Sequence, residues 1–203
     1  MQESFFKIVS EGAKSFLLIL RGKYNCMDFL LKTNRLTLVP LGTEHFESTK
    51  VYSLDPDNTK LMCFLPCDDD KEVMTYLQKC EAQWKLKSPE YLDAAVLSDG
   101  VHIGAVSIEF LENGTVGELG WIINKDHWGH GYAVESAAAF IGYIHEKYGI
   151  DHFIGHADAE NKASLRAMEK LGMSLTKTCG GRKNRCSPEE RTECLYEMYL
   201  RSC

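Results

Sequence analysis

The sequence predicts a mixed α/β (α+β) fold, in which one central sheet carries helices on its faces. Alternating apolar residues between residues 91 and 123, interrupted by turn signals, predict three consecutive antiparallel strands. Apolar residues at helical spacing over residues 132–147 then predict a long amphipathic helix. A short strand, a second helix and two final strands follow. This order of elements is typical of a sheet with helices packed on both faces.

The first elements precede this group of strands. The alternation of apolar side chains over residues 34–41 predicts a strand, and Gly42 and Thr43 lead into a helix near Glu44. Residues 71–85 predict an amphipathic helix, because four apolar side chains recur there at helical spacing: Val73, Leu77, Cys80 and Trp84. We expect this apolar face to belong to the core.

The three antiparallel strands are predicted at residues 91–97, 102–110 and 116–123. Asp99-Gly100 separates the first two strands, and Asn113-Gly114 separates the last two. Dipeptides of this kind favour the backbone conformations of tight hairpin turns. We therefore expect a continuous antiparallel meander.

Helices and strands alternate after this meander. The remaining elements are a strand, a helix and two strands, predicted in turn at residues 152–157, 163–171, 173–178 and 193–200. Gly172 suits a C-terminal helix cap, because it tolerates a left-handed backbone. Residues 180–185 are rich in Gly, Lys and Arg. We expect them to form a mobile loop, either a solvated hairpin tip or a contact for a phosphate or an acidic protein surface.

Length and composition indicate one folded domain. The chain has 203 residues, of which 44% are hydrophobic and 26% charged, with only 5 prolines. Lys plus Arg total 23 against 29 for Asp plus Glu, a formal charge of −6. Because phosphate-backbone binding needs a basic surface, we expect no nucleic-acid partner. A cationic or amine-bearing partner suits an acidic protein better.

We divide the chain into residues 1–26, an extension of uncertain status, and residues 27–203, a single domain. Met27 opens a segment that resembles a natural protein start, so the extension is either an appended segment or an amphipathic helix that packs on the domain. The apolar run at residues 16–20 is too short to cross a membrane, and the charges before it do not fit a signal peptide. We expect a cytoplasmic protein without a membrane partner. Its 8 cysteines lack CxxC pairs, so we expect reduced thiols and no metal site.

Residues 128–133, with the sequence WGHGYA, lie between a predicted strand and the start of a predicted helix. Free N–H groups at a helix N-terminus form a site for phosphate oxygens, and glycines allow a phosphate to come close. Gly129 and Gly131 could also simply make a tight turn. The Walker pattern needs a Gly-Lys-Ser/Thr end that is absent here, and the dinucleotide fingerprint needs Gly or Ala where this chain has Val134.

Two segments carry a resemblance to a known family. GELGWIINKDHWGHGYAVESA, followed by ADAENKASLRAMEKLGM, is similar to the GCN5-related N-acetyltransferase (GNAT) superfamily, and within it to the ribosomal-protein N-terminal serine and alanine acetyltransferases. The likeness covers residues 31–200, including the opening TNRLTLVPL. Family loops read Gln or Arg, two residues, Gly, any residue, then Gly or Ala; Trp128, Gly131 and Ala133 take the first, fourth and last positions. The resemblance implies a GNAT-like, mostly antiparallel central sheet flanked by helices.

The same resemblance implies acetyl-CoA as the acetyl donor and assigns residues to it. In the family, the loop binds the pyrophosphate of acetyl-CoA through backbone N–H groups, which here belong to Gly129, His130, Gly131, Tyr132 and Ala133. The end of the preceding strand, at Ile122 and Ile123, would offer its backbone to the pantetheine arm. Asn161 matches the asparagine whose side chain holds the pantetheine.

A proton donor for the departing thiolate is less clearly marked. Many relatives place a tyrosine one turn beyond the position of Ser164, but this chain has Met168 there. Ser164 is therefore the substitute candidate, although a small polar residue is equally expected in a first helical turn. The thiolate can also leave without a strong acid, because a thiol pKa lies within a few units of neutrality.

Acetyl transfer to an amine also requires that the amine lose a proton. Glu118 is the favoured base, because the alternation of Glu118, Gly120 and Ile122 would turn its side chain to the cleft if the opposite face is core. A water relay and a merely exposed strand carboxylate are the alternatives. Four histidines could also titrate near neutrality: His102, His127, His130 and His156.

We therefore expect an N-acetyltransferase that transfers an acetyl group from acetyl-CoA to a primary amine by direct attack in a ternary complex. No cysteine has the basic, His-paired setting that a covalent route would need. The resemblance implies a protein N-terminus as acceptor. A small-molecule amine such as a polyamine, amino acid or antibiotic is the alternative, and a non-catalytic acyl-CoA-binding sensor is the alternative from another class. The sequence leaves a monomer and a homodimer both open.

Overall fold

The computed structural model describes residues 29–200, which form one 8-stranded sheet with helices on both faces. The strands are β1 Leu31–Lys32, β2 Leu36–Pro40, β3 Tyr91–Ser98, β4 Val101–Leu111, β5 Val116–Ile123, β6 His152–Asp158, β7 Ser174–Lys183 and β8 Glu190–Tyr199. The α-helices are α1 Phe46–Ser53, α2 Pro56–Thr59, α3 Asp70–Gln83, α4 Tyr132–Tyr148 and α5 Lys162–Lys170. The extension predicted at residues 1–26 lies outside the described residues.

The sheet is mostly antiparallel, as the sequence predicts. Its strand order is β1-β2-β3-β4-β5-β6-β8-β7, and β5 with β6 is the parallel pair among the described strands. A parallel pair needs a long crossover, and α4 supplies it. Within residues 29–200, no helix combines the length and the apolar character that a membrane span requires.

The predicted hairpin turns are confirmed. Ser98 pairs with Val101, so Asp99 and Gly100 form a two-residue turn, and their φ angles of 50° and 79° are both positive. That backbone is the one that Asp-Gly favours. The β4–β5 connection turns at Asn113, which has a φ of 58°.

Different helices cover the two faces of the sheet. α4 lies on one face, and its core cluster includes Phe140, Ile144, Leu119 and Ile123. α3 lies on the other face, where a second cluster includes Val73, Leu77, Ala95 and Ala105. Successive side chains of a strand point to opposite faces. Glu118, Gly120 and Ile122 therefore face the α3 side of the sheet.

The basic segment at residues 180–185 differs from the prediction. β7 runs through Lys183, so most of this segment is strand rather than a hairpin tip. The two glycines form an irregularity in the ladder, with Gly181 at a φ of 93°, and Arg182 then pairs with Arg191 of β8. An ion pair of 2.7 Å between Arg182 and Glu193 stabilises β7 where its pairing with β8 resumes.

Candidate active site

The loop before α4 presents backbone N–H groups, those of residues 129–133, that have no backbone acceptor among the described residues. Gly129 and Gly131 have φ angles of 82° and 78°, which a residue with a side chain rarely adopts. Gly131 is the N-cap of α4 and has no side chain with which to accept the N–H groups of the first turn. A Cβ on Gly129 would meet nothing within 4 Å. The loop is therefore an open cradle of N–H groups at the positive end of a helix dipole, which suits a phosphate.

Arg35, in the turn between β1 and β2, holds this loop in place. Its Nε donates to Glu135 Oε2 at 2.7 Å, and its Nη1 donates to the carbonyl oxygen of His130 at 3.0 Å. Thr33 Oγ1 donates to Glu135 Oε1 at 2.5 Å. The guanidinium also lies 4.9 Å from the centre of the Tyr132 ring. Charge-assisted bonds of this kind fix the loop to the edge of the sheet.

A gap opens in the sheet between β5 and β6. Residues 116–118 pair with residues 152–154, but the two strands are not paired beyond Glu118 in the described ladder. β5 continues to Ile123 and β6 to Asp158, so the strands diverge toward the loop. Beyond Glu118, the edge of β5 that faces β6 has no partner strand among the described residues. An extended ligand can bind to the backbone at such an edge.

Ile122 and Ile123 both line this cleft, and their carbonyl groups have other partners. The carbonyl oxygen of Ile123 accepts from Trp128 Nε1 at 2.7 Å and from Asn58 Nδ2 at 3.3 Å. The carbonyl of Ile122 faces β4, where a Cβ on Gly104 would collide with it. Because peptide direction alternates along a strand, Trp121 turns its peptide group toward the gap.

Glu118 is the last residue of β5 that pairs with β6, at the closed end of the gap. Its Oε1 accepts from His156 Nδ1 at 3.0 Å, and the two side chains are 31% and 29% exposed. Both residues line the cleft on the α3 side of the sheet. A carboxylate held by an imidazole beside a reaction cleft can take up a proton from a substrate.

The other three candidate histidines have different surroundings. His102 is part-buried below α1, where its Nδ1 contacts Ser48 Oγ at 2.7 Å. Burial lowers the pKa of His102 to about 4, and the neighbouring His45 adds to this effect. His127 and His130 belong to the loop region, and His127 also lines the cleft. Among the four, only His156 contacts Glu118.

Asn161 and Ser164 are brought together at the start of α5. Asn161 is the N-cap, and its Oδ1 accepts from the backbone N–H of Ser164 at 3.1 Å. This bond is the usual function of a capping asparagine. Both residues also line the cleft. Met168, in the place of the missing tyrosine, is buried against Gly155, where a Cβ would lie 3.0 Å from its sulfur.

The cleft continues from the gap across the α3 side of the sheet, with a volume of about 1330 Å³. Residues 61–68 cover it, and the β7–β8 hairpin holds them. Arg185 forms ion pairs with Glu72 at 2.7 Å and with Asp68 at 2.8 Å. Arg182 Nη2 donates to the carbonyl of Leu61 at 3.2 Å. Arg182 and Arg185 of the hairpin are therefore engaged within the chain.

A buried network supports the end of β6 beside this cover. Asp158 accepts from Asn184 Nδ2 at 2.7 Å and from the guanidinium of Arg191. Burial alone would raise the pKa of Asp158, but the hydrogen bonds, that of Arg191 first, hold it below its usual value. Among residues 29–200, no cluster of His, Cys, Asp and Glu is arranged to hold a metal ion.

Sequence reasoning missed three residues that shape the site. Arg35 and Glu135 brace the loop, and Asn58 fixes the turn before it by accepting from the N–H of Lys125 at 2.6 Å. Arg35 lies in the segment TNRLTLVPL, which carried part of the resemblance, so its charge within an apolar strand pattern was the available signal. Asn58 lies in the short helix α2 and offers no comparable signal.

Comparisons with known proteins agree on the kind of domain. Residues 35–174 match the family model described as an acetyltransferase (GNAT) domain. The FsC-acetyl coenzyme A-N(2)-transacetylase of Aspergillus fumigatus is 30% identical over 159 residues, which cover 73% of this chain and 66% of that protein. The chain thus spans just under two thirds of the length of this relative.

Solved structures share the fold at low identity. A GNAT-family acetyltransferase from Bacillus anthracis has a TM-score of 0.72 at 20% identity, covering 84% of this chain and 98% of that one. An acetyl transferase from Salmonella typhimurium, described as modifying the N-terminal serine of ribosomal protein L7/L12, has a TM-score of 0.76 at 11% identity, covering 85% and 100%. The microcin C7 self-immunity acetyltransferase, solved with acetyl-CoA and AMP, has a TM-score of 0.71 at 14% identity, covering 83% and 94%.

Proposed function

The chain belongs to the GNAT acetyltransferase family, and from that premise we propose that it is an acetyl-CoA-dependent N-acetyltransferase that acetylates a primary amine by direct attack in a ternary complex. The observation that carries the proposal is the cradle of unpaired N–H groups at Gly131, directly beside a gap between two strands. A diphosphate and an extended thiol arm need these two features side by side. We propose the cytoplasm as its location.

The residues of the loop fit the coenzyme. The N–H groups of residues 129–133 would hold its diphosphate, because the glycines leave the backbone open on that side. The peptide group of Trp121 and the side-chain amide of Asn161 would hold the pantetheine arm. Asn161 Oδ1 caps α5, so its NH₂ group is the part that can donate. Bound acetyl-CoA supplies the activated acetyl group as a thioester.

Glu118 is the group that we assign to deprotonate the amine. Its Oε1 accepts from His156 Nδ1–H, which orients the carboxylate and leaves the other oxygen open to the cleft. A proton leaves the ammonium form of the acceptor for this oxygen, directly or through one water molecule. The neutral amine then attacks. His156 acts through Glu118 and is a positioning residue in this scheme.

Ser164 is the candidate donor to the departing thiolate. It lies in the first turn of α5, and its backbone N–H is fixed by Asn161 at 3.1 Å. Its hydroxyl can therefore donate toward the gap without a change in the helix. The contribution of such a donor is modest, because a thiolate is a good leaving group at neutral pH.

The acceptor is a primary amine, either a protein N-terminus or a small molecule. The Salmonella protein described above supports the first class, and the name of the Aspergillus relative describes an N(2) transacetylase. The large cleft on the α3 side of the sheet is the region that receives the acceptor.

The proposal is tested with purified protein, acetyl-CoA and a panel of amines, in which release of free thiol is followed optically. We expect CoA release that depends on an amine, and no release by Gly131→Trp, whose side chain fills the cradle. Tight CoA binding without release by any acceptor would contradict the enzyme and favour a sensor. Release without an amine would indicate hydrolysis.

A further inference from the structure

The floor of the cleft contains a buried carboxylate that the proposed mechanism does not use. Asp93 of β3 is 7% exposed and lines the cleft. Its Oδ1 accepts from Tyr76 Oη at 2.8 Å, and its Oδ2 accepts from Cys80 Sγ at 3.5 Å. Among the described residues, no lysine, arginine or histidine forms an ion pair with it.

This carboxylate lacks a compensating charge. Burial raises the pKa of Asp93 to about 6, while the hydrogen bonds from Tyr76 and Cys80 oppose this rise. At neutral pH the group is therefore mostly ionised. A buried anion held by neutral donors alone is costly, and a cation at the same place would offset the cost.

The sheet register places Asp93 in line with the gap. Asp93 lies opposite Ser107 of β4, and Ser107 lies opposite Gly120 of β5. Two strand spacings separate the backbones of Asp93 and Gly120, which is about 10 Å. Ser107 Oγ extends over Gly120, where a Cβ would lie 2.5 Å from it. A short chain can therefore reach from the gap to Asp93 along the floor of the cleft.

A second polar group in the same cleft has only a weak partner. Ser53 is 1% exposed and lines the cleft, and its Oγ contacts the thiol of Cys67 without a well-formed hydrogen bond to any described residue. A buried hydroxyl with so weak a partner is uncommon in folded proteins. It can accept an N–H from an ammonium group, which has three donors.

We propose that the acceptor is an aliphatic diamine, whose second ammonium group binds in the cleft at Asp93 and Ser53 while the first is acetylated at the gap. This inference rests on the proposed function, since it names the substrate class of the same site. The chain length of the acceptor follows from the distance along Asp93, Ser107 and Gly120. An amine without the second charge leaves the carboxylate unpaired.

The test compares 1,4-diaminobutane and 1,6-diaminohexane with n-butylamine and n-hexylamine as acceptors. We expect at least one diamine to exceed the monoamine of equal length about tenfold in kcat/KM. Asp93→Asn should reduce this ratio to about one while the monoamine rate stays within about threefold. Asp99→Asn is the matched control, because it makes the same chemical change in the exposed β3–β4 turn, at a φ of 50° that asparagine tolerates.

Calorimetric binding of the diamines to the protein without acetyl-CoA separates this inference from the proposed function. If a diamine binds and Asp93→Asn weakens this binding about tenfold, the ammonium subsite at Asp93 stands, even when no amine is acetylated and the proposed function fails. If diamines and monoamines are acetylated with equal efficiency, the inference is overturned, while the proposed acetyltransferase function stands.

Ser53→Ala provides a second variant in case Asp93→Asn does not fold. It removes only the hydroxyl and its contact with the weakly hydrogen-bonding thiol of Cys67, so it should perturb the fold little. We expect diamine binding about threefold weaker and the monoamine rate unchanged. Diamine binding equal to that of the unaltered protein would count against the subsite.

Discussion

Gly131 provides a sharp test of the phosphate cradle, because a matched glycine lies at the other end of the same helix. Gly131 has a φ of 78° at the N-cap of α4, and Gly149 has a φ of 73° at its C-cap. A Cβ on Gly131 would come no closer than 3.9 Å to Arg35, and a Cβ on Gly149 would meet nothing within 4 Å. Alanine at either position is therefore strained by its backbone and not by a collision.

The two variants should lose similar stability and differ in coenzyme affinity. A left-handed backbone costs alanine about 1 to 2 kcal/mol, which lowers Tm by roughly 2 to 8 °C in a chain of this size. In Gly131→Ala, relaxation of this strain also turns N–H groups of the loop away from the phosphate. Loss of one hydrogen bond to a charged group, about 1.5 to 3 kcal/mol, corresponds to CoA binding about 10- to 150-fold weaker.

The assay is calorimetric titration of each variant with CoA, together with thermal unfolding of the same samples. Gly149→Ala should bind CoA within about twofold of the unaltered protein, because its strain lies a whole helix away. Equal CoA affinity in the two variants, with equal losses of Tm, would refute the assignment of the loop as the phosphate site.

Three further predictions address the base, the brace and the buried carboxylate. Glu118→Gln should lower kcat at least about tenfold and leave the CoA Kd within about twofold, because the amide cannot accept the proton; steady-state rates that stay unchanged at several pH values would remove Glu118 from its role. Arg35→Ala should raise the KM for acetyl-CoA about three- to tenfold with kcat nearly unchanged, because the loop loses its bonds to Glu135 and His130; a fall in kcat alone would contradict this. Burial raises the pKa of Asp93 to about 6, so the free energy of unfolding should fall by about 3 kcal/mol as the pH rises from 4 to 6. Denaturant unfolding should show that Asp93→Asn gains stability relative to the unaltered protein over this range. Parallel curves of stability against pH for the two proteins would exclude the raised pKa.

Elements with local signals could be predicted from the sequence. α4 is predicted at residues 132–147 and runs Tyr132–Tyr148, because its apolar side chains and both glycine caps lie within one segment. The Asp99-Gly100 turn depends only on the backbone preferences of two residues. Such features need no knowledge of the rest of the chain.

β7 could not be predicted in the same way. A glycine pair followed by basic residues resembles a loop tip, and nothing near it in the sequence indicates a strand. The strand continues because Arg182 pairs with β8 and forms an ion pair with Glu193, 11 residues further along the chain. A bulge at Gly181 absorbs the irregularity.

The candidate site shows the same division. The loop was visible because its glycines and its helix are contiguous. The contact of Glu118 with His156 depends on the parallel register of β5 and β6, and the sequence offers no direct sign of that register. The sequence predicts Asp93 within a strand. Its burial beneath α3 follows only from how that helix packs on the sheet.

The bond network of Arg35 has a consequence for where the domain can be cut. Arg35 and Thr33 reach across about a hundred residues of chain to Glu135, so the loop depends on the first hairpin of the fold. A fragment that begins at residue 35, the boundary of the family match, would keep every residue of the loop and still discard Thr33 and β1. Expression plasmids for this domain should therefore start upstream of the first strand, because a fragment without Thr33 and β1 would hold the proposed phosphate-binding loop less firmly.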